Sequence, residues 1–122
     1  MIEKKYDLEE RTLIFLKNIM KFVRKLPKDF VNIELGRQLV RSSGSVGANY
    51  REANDSVSKK DFEFRIRICR KEAKESHFWL LAFECSGELE IIRTALIQEA
   101  LELVRIFGSM VKKFGSNENQ KS

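Results

Sequence analysis

The chain has 122 residues, 43% hydrophobic and 34% charged, with one proline, six glycines and a formal net charge of +5. This length supports one domain around one core. The longest strictly apolar run, Phe78 to Phe83, is six residues, far too short to span a membrane. The charge is uneven. Residues 17–75 hold 15 Lys/Arg against 8 Asp/Glu, while 1–16 (3 against 4) and 84–122 (5 against 6) are each −1. A basic middle suits an acidic partner such as RNA or DNA, although interleaved acids also describe an ordinary solvated helical surface.

The start, MIEKKYDLEE, has no apolar core of a signal peptide, so none is expected. Helix 1 is predicted from about Asp7, a good N-cap with Glu9 and Glu10 behind it, to Leu26, where Pro27 stops it. Leu8, Thr12, Phe15, Ile19, Phe22 and Leu26 keep a 4-3-4-3-4 rhythm, and Leu13, Leu16, Met20 and Val23 widen the stripe. Helix 2 is predicted from about Asn32 to Ala53, with Leu35, Leu39, Ser42, Val46, Asn49 and Ala53 on its seam.

The middle of that seam, SSGSVGAN (42–49), is almost all small. Gly44 and Gly47 each cost a helix about 1 kcal/mol against alanine, so either the helix is approached closely there or it kinks or breaks. Ser42, Gly44, Gly47 and Asn49 are therefore assigned to helix packing. Asn49 needs hydrogen-bond partners if buried, and reads as a register device before it reads as a functional site.

Asn54 to Val57 is a loop. The stretch Ser58 to Gly87 then reads as one long helix, with Ser58 as N-cap and Gly87 as its stop. Phe62, Ile66, Cys69, Ala73, Ser76, Leu80 and Phe83 form a heptad seam. A second set, Phe64, Ile68, Glu72, Glu75, Trp79 and Ala82, lies roughly 130° round the helix. The remaining arc carries Arg67, Arg70, Lys71 and Lys74 and becomes apolar at Phe78 and Leu81. Residues 88–93 are ambiguous. Helix 4 is predicted from about Thr94 to Phe114 on the stripe Leu96, Ala100, Leu103, Phe107, Met110 and Phe114. The polar residues 115–122 read as a disordered tail beyond a domain of residues 1–114. Helices joined by short links give an all-α, up-down-up-down four-helix bundle.

Catalytic chemistry finds little support. His77 is the lone histidine, so a carboxylate-bridged di-iron bundle fails and neither a zinc pattern nor any other metal or cofactor site is expected. A triad would have to use His77, which reads more simply as a packed or surface residue. Glu72 and Glu75, one turn apart, could serve as an acid–base pair. Salt bridges to a neighbouring helix or subunit are the simpler reading. Cys69 and Cys85, about 24 Å apart on one predicted helix, cannot bridge within the chain, which fits a reducing cytosol. The surplus apolar surface of the long helix points instead to self-association through Phe78, Trp79 and Leu81, flanked by Glu72 and Glu75. Arg67, Arg70, Lys71 and Lys74 are the candidate nucleic-acid-binding residues.

Two stretches carry a resemblance: LVRSSGSVGANYREA (39–53) and DFEFRIRICRKEAKESHFWL (61–80). In the first it rests on Arg41, Ser42, Ser45, Ala48, Asn49, Glu52 and Ala53. In the second it rests on Lys71, Glu72, Ala73, Glu75, Ser76, Trp79 and Leu80. Over about residues 8–114 the chain resembles the four-helix-bundle proteins encoded by intervening sequences of 23S ribosomal RNA genes. The resemblance implies a bacterial, cytoplasmic homopentamer with no known activity. A related group, the accessory proteins of diversity-generating retroelements, is basic, pentameric, and binds nucleic acid and a reverse transcriptase. The expectation is thus a non-enzymatic oligomer that binds nucleic acid, structured or ribosomal RNA before DNA, through a basic surface. The alternative is an adaptor that partners a reverse transcriptase–RNA complex.

Overall fold

A computed structural model describes residues 7–121, with side chains described through Gly115. Four helices follow in order: α1 (Leu8–Lys25), α2 (Phe30–Asn54), α3 (Lys59–Ala82) and α4 (Gly87–Lys121). Each packs on its chain neighbours, and α1 closes against α4, so the bundle is the expected up-down-up-down arrangement. The polar stretch 115–122, expected as a disordered tail, is helical as far as Lys121, so α4 runs past the expected end at Phe114; side chains from residue 116 onward lie outside those described.

Helix starts follow the capping chemistry. Asp7, Asp29 and Ser58 accept hydrogen bonds from the backbone N–H of Glu10, Asn32 and Asp61. The Asp29 cap starts α2 two residues before the predicted Asn32. The seams meet as their spacing requires. Phe15, Ile19, Phe22, Leu39, Val46, Ile66, Leu80, Leu103 and Phe107 form one buried core. On α3 the whole predicted seam from Ile66 to Phe83 is buried, and Phe62 is half-buried against Phe114.

The α3–α4 junction departs from expectation. α3 ends at Ala82, and Gly87 does not stop it. Instead Gly87, at φ 60, opens α4, which therefore absorbs the ambiguous residues 88–93. Two contacts explain the early end. Phe83 leaves the helix in extended conformation to bury its ring edge-on against Phe22, centroids 5.4 Å apart. Arg93 of α4 donates to the carbonyls of Leu80 (2.8 Å) and Leu81 (3.4 Å), satisfying the last turn of α3 with a cation where the helix dipole favours one. A hydrogen bond from Arg93 also holds the Glu90 carboxyl below the usual range.

The small stretch of α2 is helical throughout, so the break is excluded. A Cβ at Gly47 would lie 2.9 Å from Thr12 Oγ1 on α1, a close approach, whereas one at Gly44 would meet Leu16 at an ordinary 3.8 Å. Against α3, Ser42 Oγ and Ser76 Oγ share a buried hydrogen bond of 2.8 Å. Asn49 donates to the carbonyl and hydroxyl of Ser45 and accepts from Arg65 at 2.9 Å, which pins the α2–α3 register.

Both cysteines are free thiols. Cys69 is fully buried and its Sγ–H donates to the Val46 carbonyl at 3.4 Å. Burial pushes its pKa up to about 12 from the ordinary 9.0. Cys85 lies in the α3–α4 link, half-buried, and burial raises its thiol too. A maleimide is therefore expected to modify Cys85 in the native protein and to reach Cys69 only on unfolding. Equal labelling of both in the native state would contradict this packing. Stability should also fall as pH rises from about 9 towards 12, because the unfolded Cys69 loses its proton there and the folded one keeps it.

Candidate nucleic-acid interface

Burial of the α3 seam fixes which arc of that helix faces outward. Arg67, Arg70, Lys71 and Lys74 come together and line one groove of ≈ 310 Å³, with Val111 of α4 as its fifth member. Among the described residues the facing edge of α4 is uncharged. Ile97, Leu101, Val104, Gly108, Val111 and Gly115 recur at 4-3-4-3-4 spacing, and all are half-buried. Gly108 stands beside Arg70, where a Cβ would meet Arg70 Nε at an ordinary 3.5 Å, so the guanidinium lies against α4. Reading α3 alone missed this apolar wall. Its signal was the second stripe of α4, Ile97, Leu101, Val104 and Val111.

The four cations differ in their partners. Arg67 is 3.8 Å from Glu63, which is 7% exposed and also meets Lys59 at 3.7 Å. The Arg67 guanidinium lies 5.6 Å from the Phe114 ring centroid, a cation–π distance. Among the described residues Arg70, Lys71 and Lys74 have no ion-pair partner. Lys71 stands at i,i+4 from Glu75, but that carboxylate is engaged elsewhere.

Glu72 and Glu75 both pair with Arg41 of α2: Glu72 at 3.4 Å, and Glu75 through Nη2 in close contact. Trp79 Nε1 donates to Glu75 at 3.0 Å. The neighbouring-helix ion pair is thus present, with Arg41 as the partner that spacing alone did not name. Arg41 sits one residue before Ser42, as Glu75 sits one before Ser76, so the Ser42–Ser76 crossing brings them together. The structure also divides the proposed interface residues between two faces. Trp79 and the two glutamates lie on the α2 side of α3. Phe78 and Leu81, 59% and 54% exposed, continue the basic arc.

Other interhelical ties are peripheral. Arg11 and Glu99 join α1 to α4 through two 2.8 Å bonds, which raise the Arg11 pKa. Among the described residues no group of three or more His, Cys, Asp or Glu gathers that could hold a metal. No described helix is long and apolar enough to cross a membrane.

Fold and groove together define a class, an antiparallel four-helix bundle with a cationic cleft along its third helix. The chain belongs to the 23S rRNA-intervening sequence protein family, whose model matches residues 4–117. A solved relative is a protein of unknown function from the S23 ribosomal protein family of Bacteroides thetaiotaomicron. It is 28% identical, with a TM-score of 0.74, over 87% of this chain and 99% of that one. No curated protein matches.

Proposed function

We propose that the protein is a non-catalytic homo-oligomer of the cytoplasm, a pentamer as the family resemblance implies, that binds nucleic acid, namely structured or ribosomal RNA, through the α3–α4 groove. One observation carries this reading: four cations line one cleft, and three of them have no ion-pair partner among the described residues. Such a cleft supplies phosphate contacts without base readout, so binding should be strong at low salt and fall steeply as salt rises. Glu72 and Glu75, the pair the sequence offered for acid–base work, are tied to Arg41. Electrophoretic shifts of a structured rRNA fragment between about 50 and 200 mM salt test the reading. The absence of any shift at the low-salt end would overturn it.

Self-association is proposed through the second seam of α3, where Phe64 is 57% exposed and Ile68 and Trp79 are half-buried. Light scattering should give a mass several times 14.3 kDa. Trp79→Asp should shift it towards monomer or aggregate, because an uncompensated carboxylate beside Glu75 would have to be desolvated in the interface. A strictly monomeric wild type at micromolar concentration rules this assembly out.

A further inference from the structure

We infer that the α3–α4 groove takes unpaired rather than base-paired RNA, and that Phe78 is the platform on which a base stacks. The inference rests on the nucleic-acid reading above and narrows its ligand.

Lys71, Lys74, Phe78 and Leu81 recur at 3-4-3 spacing, so they form one stripe that turns from cationic to apolar within a single helical turn. Lys74 and Phe78 are separated by about 6 Å of helix rise. Phe78 meets Trp79 edge-on, with ring centroids 5.1 Å apart and planes at 70°. That contact braces the ring and still leaves the residue 59% exposed. Among the described residues no carboxylate lines the cleft, and Glu75, the nearest acid in sequence, is turned to Arg41. The cleft therefore offers cations on one edge and Val111 opposite, and the same α3 stripe carries an open aromatic ring about one turn beyond Lys74.

This arrangement matches an unpaired strand. Its charges recur along a backbone and its bases present free faces to aromatic side chains. A duplex hides those faces, and a phosphate-only site would have no use for the ring. An acidic amphipathic peptide would need a carboxylate at nearly every turn to match the cations of the stripe.

The test compares a 16-nucleotide mixed-sequence RNA strand, the same strand annealed to its complement, and polyglutamate, each titrated into the full-length protein at about 50 mM salt. Trp79, the only tryptophan, reports from beside Phe78. The single strand should bind at least tenfold more tightly than the duplex, and it alone should change Trp79 emission. Phe78→Ala should weaken single-strand binding by about fivefold to a hundredfold and leave duplex binding unchanged. Phe78→Tyr, which keeps the ring, should bind like wild type. Unchanged helicity and mass in both variants would separate stacking from misfolding.

Equal affinity for strand and duplex, or a Phe78→Ala loss shared by both, would overturn the stacking inference and leave the nucleic-acid reading standing. Binding of neither RNA would overturn both. Polyglutamate bound as tightly as RNA would reduce the cleft to a general polyanion site and overturn the inference.

Discussion

Gly47→Leu is expected to lower the melting temperature by about 4–12 °C, taking an overpacking cost of about 1–3 kcal/mol and about 4 °C per kcal/mol for a domain of this size. The geometry leaves no escape. The first added carbon would already stand 2.9 Å from Thr12 Oγ1 and 3.2 Å from Thr12 Cβ. Thr12 cannot give way easily. It is buried, its hydroxyl donates to the Leu8 carbonyl at 2.7 Å, and a β-branched side chain on a helix has few rotamers to choose from. Even Gly47→Ala should therefore destabilise, although alanine gains about 1 kcal/mol of helix propensity over glycine.

Gly44 provides the internal control. Its new Cβ would touch only the Leu16 methyls at 3.8 Å, so Gly44→Ala should keep the propensity gain and raise the melting temperature. Thermal melts of the three variants decide the matter. If Gly47→Ala stabilises as Gly44→Ala does, α1 and α2 do not approach as closely as described.

The seams were legible because burial in a bundle imposes a 3-4 rhythm that side-chain type alone reveals. Ile66 through Leu80 on α3 and Leu96 through Phe107 on α4 are buried where the spacing puts them. Local caps were legible too, as at Asp7 and Ser58. Features set by a second helix were not. Gly36 looks like any surface glycine, yet a Cβ there would come within 3.0 Å of Val23 Cγ1, a second close approach of α1 and α2. Gly87 looked like a helix stop because glycine so often is one. Its actual role depends on Arg93 capping α3 from across the link and on Phe83 finding Phe22. Glu63, between Phe62 and Phe64, lies off the predicted seam, but it is buried beneath Lys59 and Arg67.

The basic strip shows both sides of this division. Helical spacing placed its four members on one arc. Spacing alone also puts Glu63 and Glu75 within i,i+4 reach of Arg67 and Lys71, so it does not say whether the arc is neutralised by its own acids. Only the α2–α3 crossing decides it, by giving Glu75 to Arg41 and leaving Lys71 without that partner.

Replacing Arg70 and Lys74 together by alanine should accordingly cost little stability and much affinity. Neither side chain has an ion-pair partner among the described residues, and both are exposed. If all four cations of one groove meet phosphates of a single strand, the logarithm of affinity should fall with that of salt at a slope of about −2.8, so a rise from 50 to 200 mM weakens binding about 50-fold. Removing two contacts halves the slope to about −1.4, and the same rise then costs about 7-fold. At 50 mM the double variant should already bind more weakly by a factor on the order of tens, because each lost contact forgoes its counterion release. The loss should be uniform across sequences, since a helix edge that meets phosphates reads no bases. In a ring of subunits the defect would repeat in every groove, so a long strand spanning several should suffer more than a short one. Shift assays at four salt concentrations, on a short and a long strand, measure slope and length dependence together. An unchanged slope in the double variant would mean that these cations do not face phosphates. The groove would then be surface charge without a nucleic-acid role, whatever affinity the rest of the molecule retained.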